Sequence, residues 1–266
     1  TLFQRSDLPY VVMCGCNIIF NIDLAEIIDA HERSGAHATM VYCRAEREHD
    51  DDVTALEIGE AGRVHALHAG CSFGDNKFLD CCVINRDVLL DIIDNYQDVD
   101  HLDLFEAIEP EFGRIDVCSY EFKGLALGVF DEQSYYQRSM EMLRPDLNDR
   151  LFNPDRPIMT KAHDAPPAKY CTGSTVCNSL VSAGCLIQGT VRGSILARDV
   201  IVEHGASVSN SIIMQSCVIR SGARVENAIV DKNNVIPAQT ELRGTPDATL
   251  IIPKAPLATK ELATLD

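Results

Sequence analysis

The sequence predicts an α/β domain followed by a left-handed parallel β-helix, and three observations carry that expectation. Short apolar runs alternate with helical patterns over residues 1–150, proline clusters interrupt residues 151–170, and over residues 171–266 aliphatic side chains recur every six positions. Strands that alternate with helices lead to a layered α/β domain with a mostly parallel sheet. A helix face would repeat every 3.6 residues. An apolar residue at every sixth position, with turn formers between, is instead the hexapeptide pattern of a prism with three short strands per coil.

Taken in order, residues 10–13 are an apolar run that reads as a buried strand. Asp23 followed by Glu26 resembles a capping box. Leu24, Ile27, Ile28 and His31 then share one helical face, which Gly35 stops. Residues 38–42 and 79–84 read as further strands, 87–93 as a helix, and 134–143 as a helix that Pro145 ends. Pro154 and Pro157, then Pro166 and Pro167, suit neither a helix nor a central strand, so 151–170 reads as a linker.

Beyond the linker the aliphatic pairs are Ile195/Ile201, Val202/Val208, Ile212/Val218, Ile219/Val225, Ile229/Val235 and Ile236/Leu242, begun by Leu180/Leu186. They recur every 17 residues (Ile195, Ile212, Ile229), with Gly205, Gly222 and Asn233-Asn234 at corners and one coil near Gly189 two residues short. These aliphatic residues are expected to stack inward. A prism with open ends is expected to associate with another subunit.

Composition excludes several classes. The chain has 266 residues and a net charge of −17; residues 1–170 hold 32 acidic and 15 basic side chains, and residues 171–266 hold 8 of each. Such a surface repels nucleic acid. No apolar run is long enough for a membrane span, and no signal-peptide pattern is visible. Eleven irregularly spaced cysteines suggest reduced thiols and a cytoplasmic protein, and Cys14 and Cys16 have no matching pair for a zinc site. Because the text opens on Thr1 and reaches a strand within ten residues, the chain is expected to be incomplete at its N-terminus.

Several motifs resemble one family. Ser134-Tyr135-Tyr136, with Met140 and Leu143, is similar to "ESYYEANMDLL"; residues 151–158 are similar to "LFDPEWPIYT"; Pro166-Pro167-Ala168-Lys169-Tyr170 is similar to "PPAKF"; and Ala228 to Asn233 is similar to "AIIDKNV". These are framework motifs of the bacterial ADP-glucose pyrophosphorylases (glucose-1-phosphate adenylyltransferases). The resemblance implies a nucleotidyltransferase-like (Rossmann-like) α/β domain, and it covers nearly the whole chain.

The family's chemical motifs are where this sequence departs. The family strand ends in Gly-Asp, whose aspartate holds magnesium; here it ends Gly15-Cys16. The segment "GYWRDVGTIESYY" aligns with residues 124–136, so Ala126 and Leu127 replace tryptophan and arginine and Gly128 replaces a second metal-binding aspartate. The phosphate-gripping "VEKP" element aligns with His68-Ala69-Gly70-Cys71. Magnesium prefers oxygen ligands, which neither a thiol nor glycine supplies. The degenerate positions are thus Cys16, Ala69, Gly70, Ala126, Leu127 and Gly128, with no catalytic residue and no metal ligand expected on this chain.

Residues 15–23 are similar to "GSNVIYNID" of the non-catalytic GlgD-type branch. That resemblance implies a regulatory subunit in a heterotetramer with a catalytic ADP-glucose pyrophosphorylase subunit, modulating glycogen synthesis and answering to a sugar-phosphate effector. Magnesium and ATP would enter only through the catalytic partner. The alternative is an active adenylyltransferase that uses nearby carboxylates such as Asp23 or Asp131. Cys16 as a nucleophile, His204 as an acyltransferase base and residues 49–52 as a calcium loop are further readings, each with less to recommend it than a neutral replacement, a coil corner and a solvated loop.

Overall fold

A computed structural model describes residues 2–46, 49–96, 104–160 and 164–254. The chain divides into two compact units, residues 1–130 with 150–158 and residues 131–149 with 159–266. The strands of the first are β1 (Tyr10–Cys14), β2 (Ile18–Phe20), β3 (Ala38–Arg44), β4 (His49–Ile58), β5 (Val64–Ser72), β6 (Asn76–Asn85), β7 (Val117–Glu121) and β8 (Ala126–Gly128). The helices of the chain are α1 (Leu2–Arg5), α2 (Leu24–Ser34), α3 (Arg86–Asp94), α4 (Leu104–Ile108), α5 (Glu132–Glu141) and α6 (Pro145–Leu151).

Six strands make one sheet in the order β5-β4-β6-β3-β7, with β1 also pairing β6; β2 and β8 form a separate ribbon. The mostly parallel sheet expected from the sequence is corrected here. Among the described residues of this sheet only β3 and β7 pair in parallel, while β1–β6, β3–β6, β4–β5 and β4–β6 are antiparallel. Connection length accounts for one of these pairings: β4 and β5 are joined by a few residues, enough for a hairpin but not for a helical crossover. Residues 49–52, expected in a solvated loop, run in strand β4 instead.

Helix α2 starts as expected but with different chemistry. Asp23 caps it by accepting from the Ala25 amide at 2.9 Å, whereas Glu26 does not close a capping box and accepts instead from the Tyr120 hydroxyl at 3.2 Å. Gly35, at φ +63°, supplies the left-handed C-terminal turn. His31 on the buried face is 1% exposed; its Nδ1 lies 2.8 Å from Thr39 Oγ1 and its Nε2 lies 3.0 Å from Asn85 Oδ1, which ties α2 to β3 and to the end of β6. Both ring nitrogens are thereby partnered, as a buried polar group requires.

Pro145 does not simply end a helix: it opens α6, where its missing amide hydrogen costs nothing. The first proline cluster is held to its unit by Asn21, whose Nδ2 donates to the carbonyls of Leu151 (2.9 Å) and Arg156 (2.8 Å).

The second unit is a left-handed parallel β-helix with three five-stranded faces. The first stacks Lys169–Tyr170, Leu186–Ile187, Ile201–Val202, Val218–Ile219 and Val235–Ile236. The second stacks Thr175–Cys177, Thr190–Arg192, Ser207–Ser209, Arg224–Glu226 and Glu241–Arg243. The third stacks Leu180–Val181, Ile195–Leu196, Ile212–Ile213, Ala228–Val230 and Leu250–Ile252.

The inward stack is corrected by one residue on two faces. Val202/Val208 and Ile219/Val225 point into the core as expected, but Ile195, Ile212 and Ile229, like Ile201, Val218 and Val235, stand one position before the buried Leu196, Ile213, Val230, Val202, Ile219 and Ile236. Side chains alternate along a strand, so neighbours in one dipeptide face opposite ways. Where both are aliphatic, a six-residue spacing fits either phase. The outer row Ile195, Ile212 and Ile229 packs against Tyr135, Tyr136 and Met140 of α5, and the Tyr136 hydroxyl donates to the Asn210 carbonyl at 2.7 Å. Sequence order placed this helix with the α/β half, but its apolar face belongs to the β-helix. The other outer row, Leu186, Ile201, Val218 and Val235, stays half-buried to exposed.

Corners stack as well. Asp199, Ser216 and Asn233 fall in one left-handed column, and Gly205, Gly222 and Gln239 in another. Beside a third corner the hydroxyl of Ser179 accepts the Ser194 amide, Ser194 accepts the Ser211 amide and Ser211 accepts the Ala228 amide, each at 3.1 Å. Ser194 and Ser211 are 0% exposed. Ser211→Ala strands the Ala228 amide and is expected to cost about 1–3 kcal/mol, seen as a lower urea midpoint at unchanged m-value. An unchanged midpoint would show that the ladder does not contribute.

Candidate functional site

The degenerate motifs gather mainly at the β2–β8 ribbon. β1 ends at Cys14, Gly15 and Cys16 turn, and β2 pairs antiparallel with β8 so that Ile18 faces Gly128, Ile19 faces Leu127 and Phe20 faces Ala126. The Val129 amide also donates to the Asn17 carbonyl at 2.7 Å. Positions 16 and 128, far apart in sequence, are thus brought to one end of one ribbon.

What stands there is not a set of oxygen donors. Cys16 is exposed, with its sulfur 3.7 Å from Asn17 Oδ1. A side chain built on Gly128 would run into the ring of Phe130, which occupies the space that a carboxylate at this position would need. Leu127, in the place of the family's arginine, is 5% exposed and buried as a hydrophobe. These residues do not fit a magnesium ion: one offers soft sulfur, and the other offers no side chain beneath an aromatic ring. Among the described residues, no three His, Cys, Asp or Glu side chains come together as a possible metal group.

The carboxylates named as substitutes are engaged elsewhere. Asp23 caps α2, and Asp131 caps α5 through a full capping box with Ser134: the Ser134 amide donates to Asp131 Oδ1 at 2.7 Å, and the Asp131 amide donates to Ser134 Oγ at 2.9 Å. Hydrogen bonds from the Ser134 side chain and then its amide hold the Asp131 carboxyl below the usual range.

One residue beside the site escaped sequence reasoning. Asp80 lies where β6 bulges against β3, at φ +47°, and its carbonyl accepts the Gly15 amide at 2.7 Å. A Cβ on Gly15 would sit 2.8 Å from the Cβ of Asp80, so the close approach requires glycine at position 15. The only sequence signal was an aspartate between Leu79 and Cys81 in an otherwise apolar run.

Ala69 and Gly70 are not brought to the ribbon. They lie on the sheet-edge strand β5 and line a hollow of about 570 Å³ together with Glu57, His68, Asp75 and Asn76. His68 Nε2 is 2.8 Å from Glu57 Oε2, both side chains being largely exposed. Among the described residues no lysine or arginine lines this hollow, and its two carboxylates oppose a phosphate. His204 is exposed next to Gly205 at a coil corner. No helix among the described residues is long and apolar enough to cross a membrane.

Residues 166–247 match a family model described as GlmU-like, C-terminal hexapeptide. Over 252 residues, 95% of its length, the chain is 33% identical to "Glycogen biosynthesis protein GlgD" of Bacillus subtilis (strain 168), covering 64% of that protein. It is 31% identical to the GlgD of Geobacillus stearothermophilus over 77% of the chain and 51% of the relative. A "Glucose-1-phosphate adenylyltransferase" of Corynebacterium glutamicum (strain R) is 29% identical over 75% of the chain and 55% of the relative. The chain therefore spans between about half and two thirds of the length of these relatives.

Proposed function

We propose, from its likeness to GlgD and to the glucose-1-phosphate adenylyltransferases, that the chain is part of a non-catalytic subunit that assembles with a catalytic subunit and modulates it in glycogen synthesis. One observation carries the reading. At the ribbon end where the family's two carboxylates would converge, Cys16 offers sulfur and Phe130 fills the space above Gly128. The family's magnesium, ATP and pyrophosphate chemistry would then rest with the catalytic partner, and no step of it is routed through this chain. The half-buried row Leu186, Ile201, Val218 and Val235 supports assembly, because an aliphatic sheet face is stabilised by being covered.

A second reading, an active adenylyltransferase, draws on one feature, the Asp80 side chain packed against Gly15. Co-expression with an adenylyltransferase of the same organism tests the first reading. The two are expected to co-elute as one hetero-oligomer, with a changed response of the catalytic subunit to hexose phosphates. Separate elution and unaltered kinetics would reject it.

A further inference from the structure

We propose that Cys14 and Cys81 form a thiol–disulfide exchange site, in which Cys14 meets a low-molecular-weight disulfide and Cys81 resolves the adduct into an intramolecular bond. The two residues face each other across β1 and β6, with their sulfurs 3.4 Å apart. The next pair along, Gly15 and Asp80, is joined by a backbone hydrogen bond, so Cys14 and Cys81 occupy the non-bonded kind of antiparallel position. In that position Cα atoms lie about 4.5 Å apart, within the disulfide range of roughly 4.4–6.8 Å.

The two thiols are also unequal in the way exchange requires. Cys14 is exposed, whereas Cys81 is 0% exposed. The hydrogen bond shared with Cys81 lowers the Cys14 thiol to about 7, against the opposing effect of its partial burial. That same hydrogen bond, and then burial, raise Cys81. Burial pushes Cys43 up to about 11 and Cys82 to about 12. Cys14 therefore combines access to solvent with thiolate character near neutral pH, the two conditions for a reactive thiol.

The chemistry balances as follows. The Cys14 thiolate attacks one sulfur of RSSR, forms Cys14–S–SR and expels RS⁻. The Cys81 thiol attacks the Cys14 sulfur, forming the Cys14–Cys81 bond, and its proton leaves with the second RS group as RSH. Two protein thiols are oxidised by two electrons, and one small disulfide is reduced to two thiols. The product straps β1 to β6 directly before the Gly15–Cys16 turn.

Incubation with oxidised glutathione in a Cys16→Ser background, followed by peptide mapping, tests this. The expected product is a Cys14–Cys81 cross-linked peptide, two hydrogens lighter than the separate peptides and reversed by a reducing thiol. Cys81→Ser is expected to stop at a glutathione adduct on Cys14, and Cys14→Ser is expected to give neither product. If Cys81→Ser does not fold, Cys81→Ala serves the same purpose. Cys14 that remains fully alkylatable after oxidation, or that keeps its adduct while Cys81 is intact, would overturn the proposal.

Discussion

Assayed with ATP, magnesium and glucose 1-phosphate, the protein carrying this chain is expected to form ADP-glucose at least about a thousandfold more slowly than a catalytic adenylyltransferase subunit. Metal stabilisation of phosphoryl-transfer charge contributes several kcal/mol, and about 1.4 kcal/mol corresponds to a factor of ten in rate. Neither Cys16 nor Gly128 brings an oxygen donor to the ribbon, and the ring of Phe130 lies where the second donor would project. Leu127 packs as a buried hydrophobe where a guanidinium would stand, and the hollow lined by Ala69 and Gly70 has carboxylates but, among the described residues, no lysine or arginine. Steady-state ADP-glucose formation by the isolated protein at high enzyme concentration measures this directly. A turnover within tenfold of a catalytic subunit would favour the active reading, and Asp80→Asn would then show whether that carboxylate is responsible.

The second large effect is structural. Ile212→Asp is expected to destabilise the β-helix unit by about 4 kcal/mol, because it places a carboxylate at a position 3% exposed beneath Tyr135, Tyr136 and Met140. Ile201→Asp is the matched control. It changes the same residue type on an outer row of the same solenoid, at a half-buried position, and is expected to cost about 1 kcal/mol or less. Urea unfolding of both variants compares them. Equal losses would mean that α5 does not shield the Ile195, Ile212 and Ile229 row, and that sheet position alone sets the penalty. Under the assembly reading, Ile201→Asp should instead weaken association with the catalytic partner.

The sequence made the β-helix legible because its period is a property of side chains alone. Inner and outer phases could not be separated on two faces, since Ile195-Leu196, Ile201-Val202, Ile212-Ile213 and Val218-Ile219 are aliphatic at both positions. Which member of each pair turns inward is fixed by the backbone of the coil, whether or not a helix covers the outer row, and aliphatic spacing alone does not report it. The α/β half was legible element by element but not in strand direction. Apolar runs report burial, and the short connection between β4 and β5 turns the chain back as a hairpin where a crossover helix was expected. At the site, motif comparison located positions 16 and 128, and pairing of β2 with β8 brings them together. The roles of Phe130 and Asp80 were invisible, because one depends on ring placement over a glycine and the other on a left-handed backbone at a bulge.

The corner columns limit how the second half of this molecule can evolve. Gly205, Gly222 and Gln239 recur at intervals of 17 residues, each with a left-handed backbone, whereas Gly184 and Asp199 are 15 apart across the one shortened coil. A one- or two-residue insertion within a strand would move every later side chain off its column, whereas duplication of a complete 17-residue module would restore each corner to its place. Growth or shrinkage here is quantised, and small length variation among relatives should collect at the turn around Gly189, where the count is already irregular.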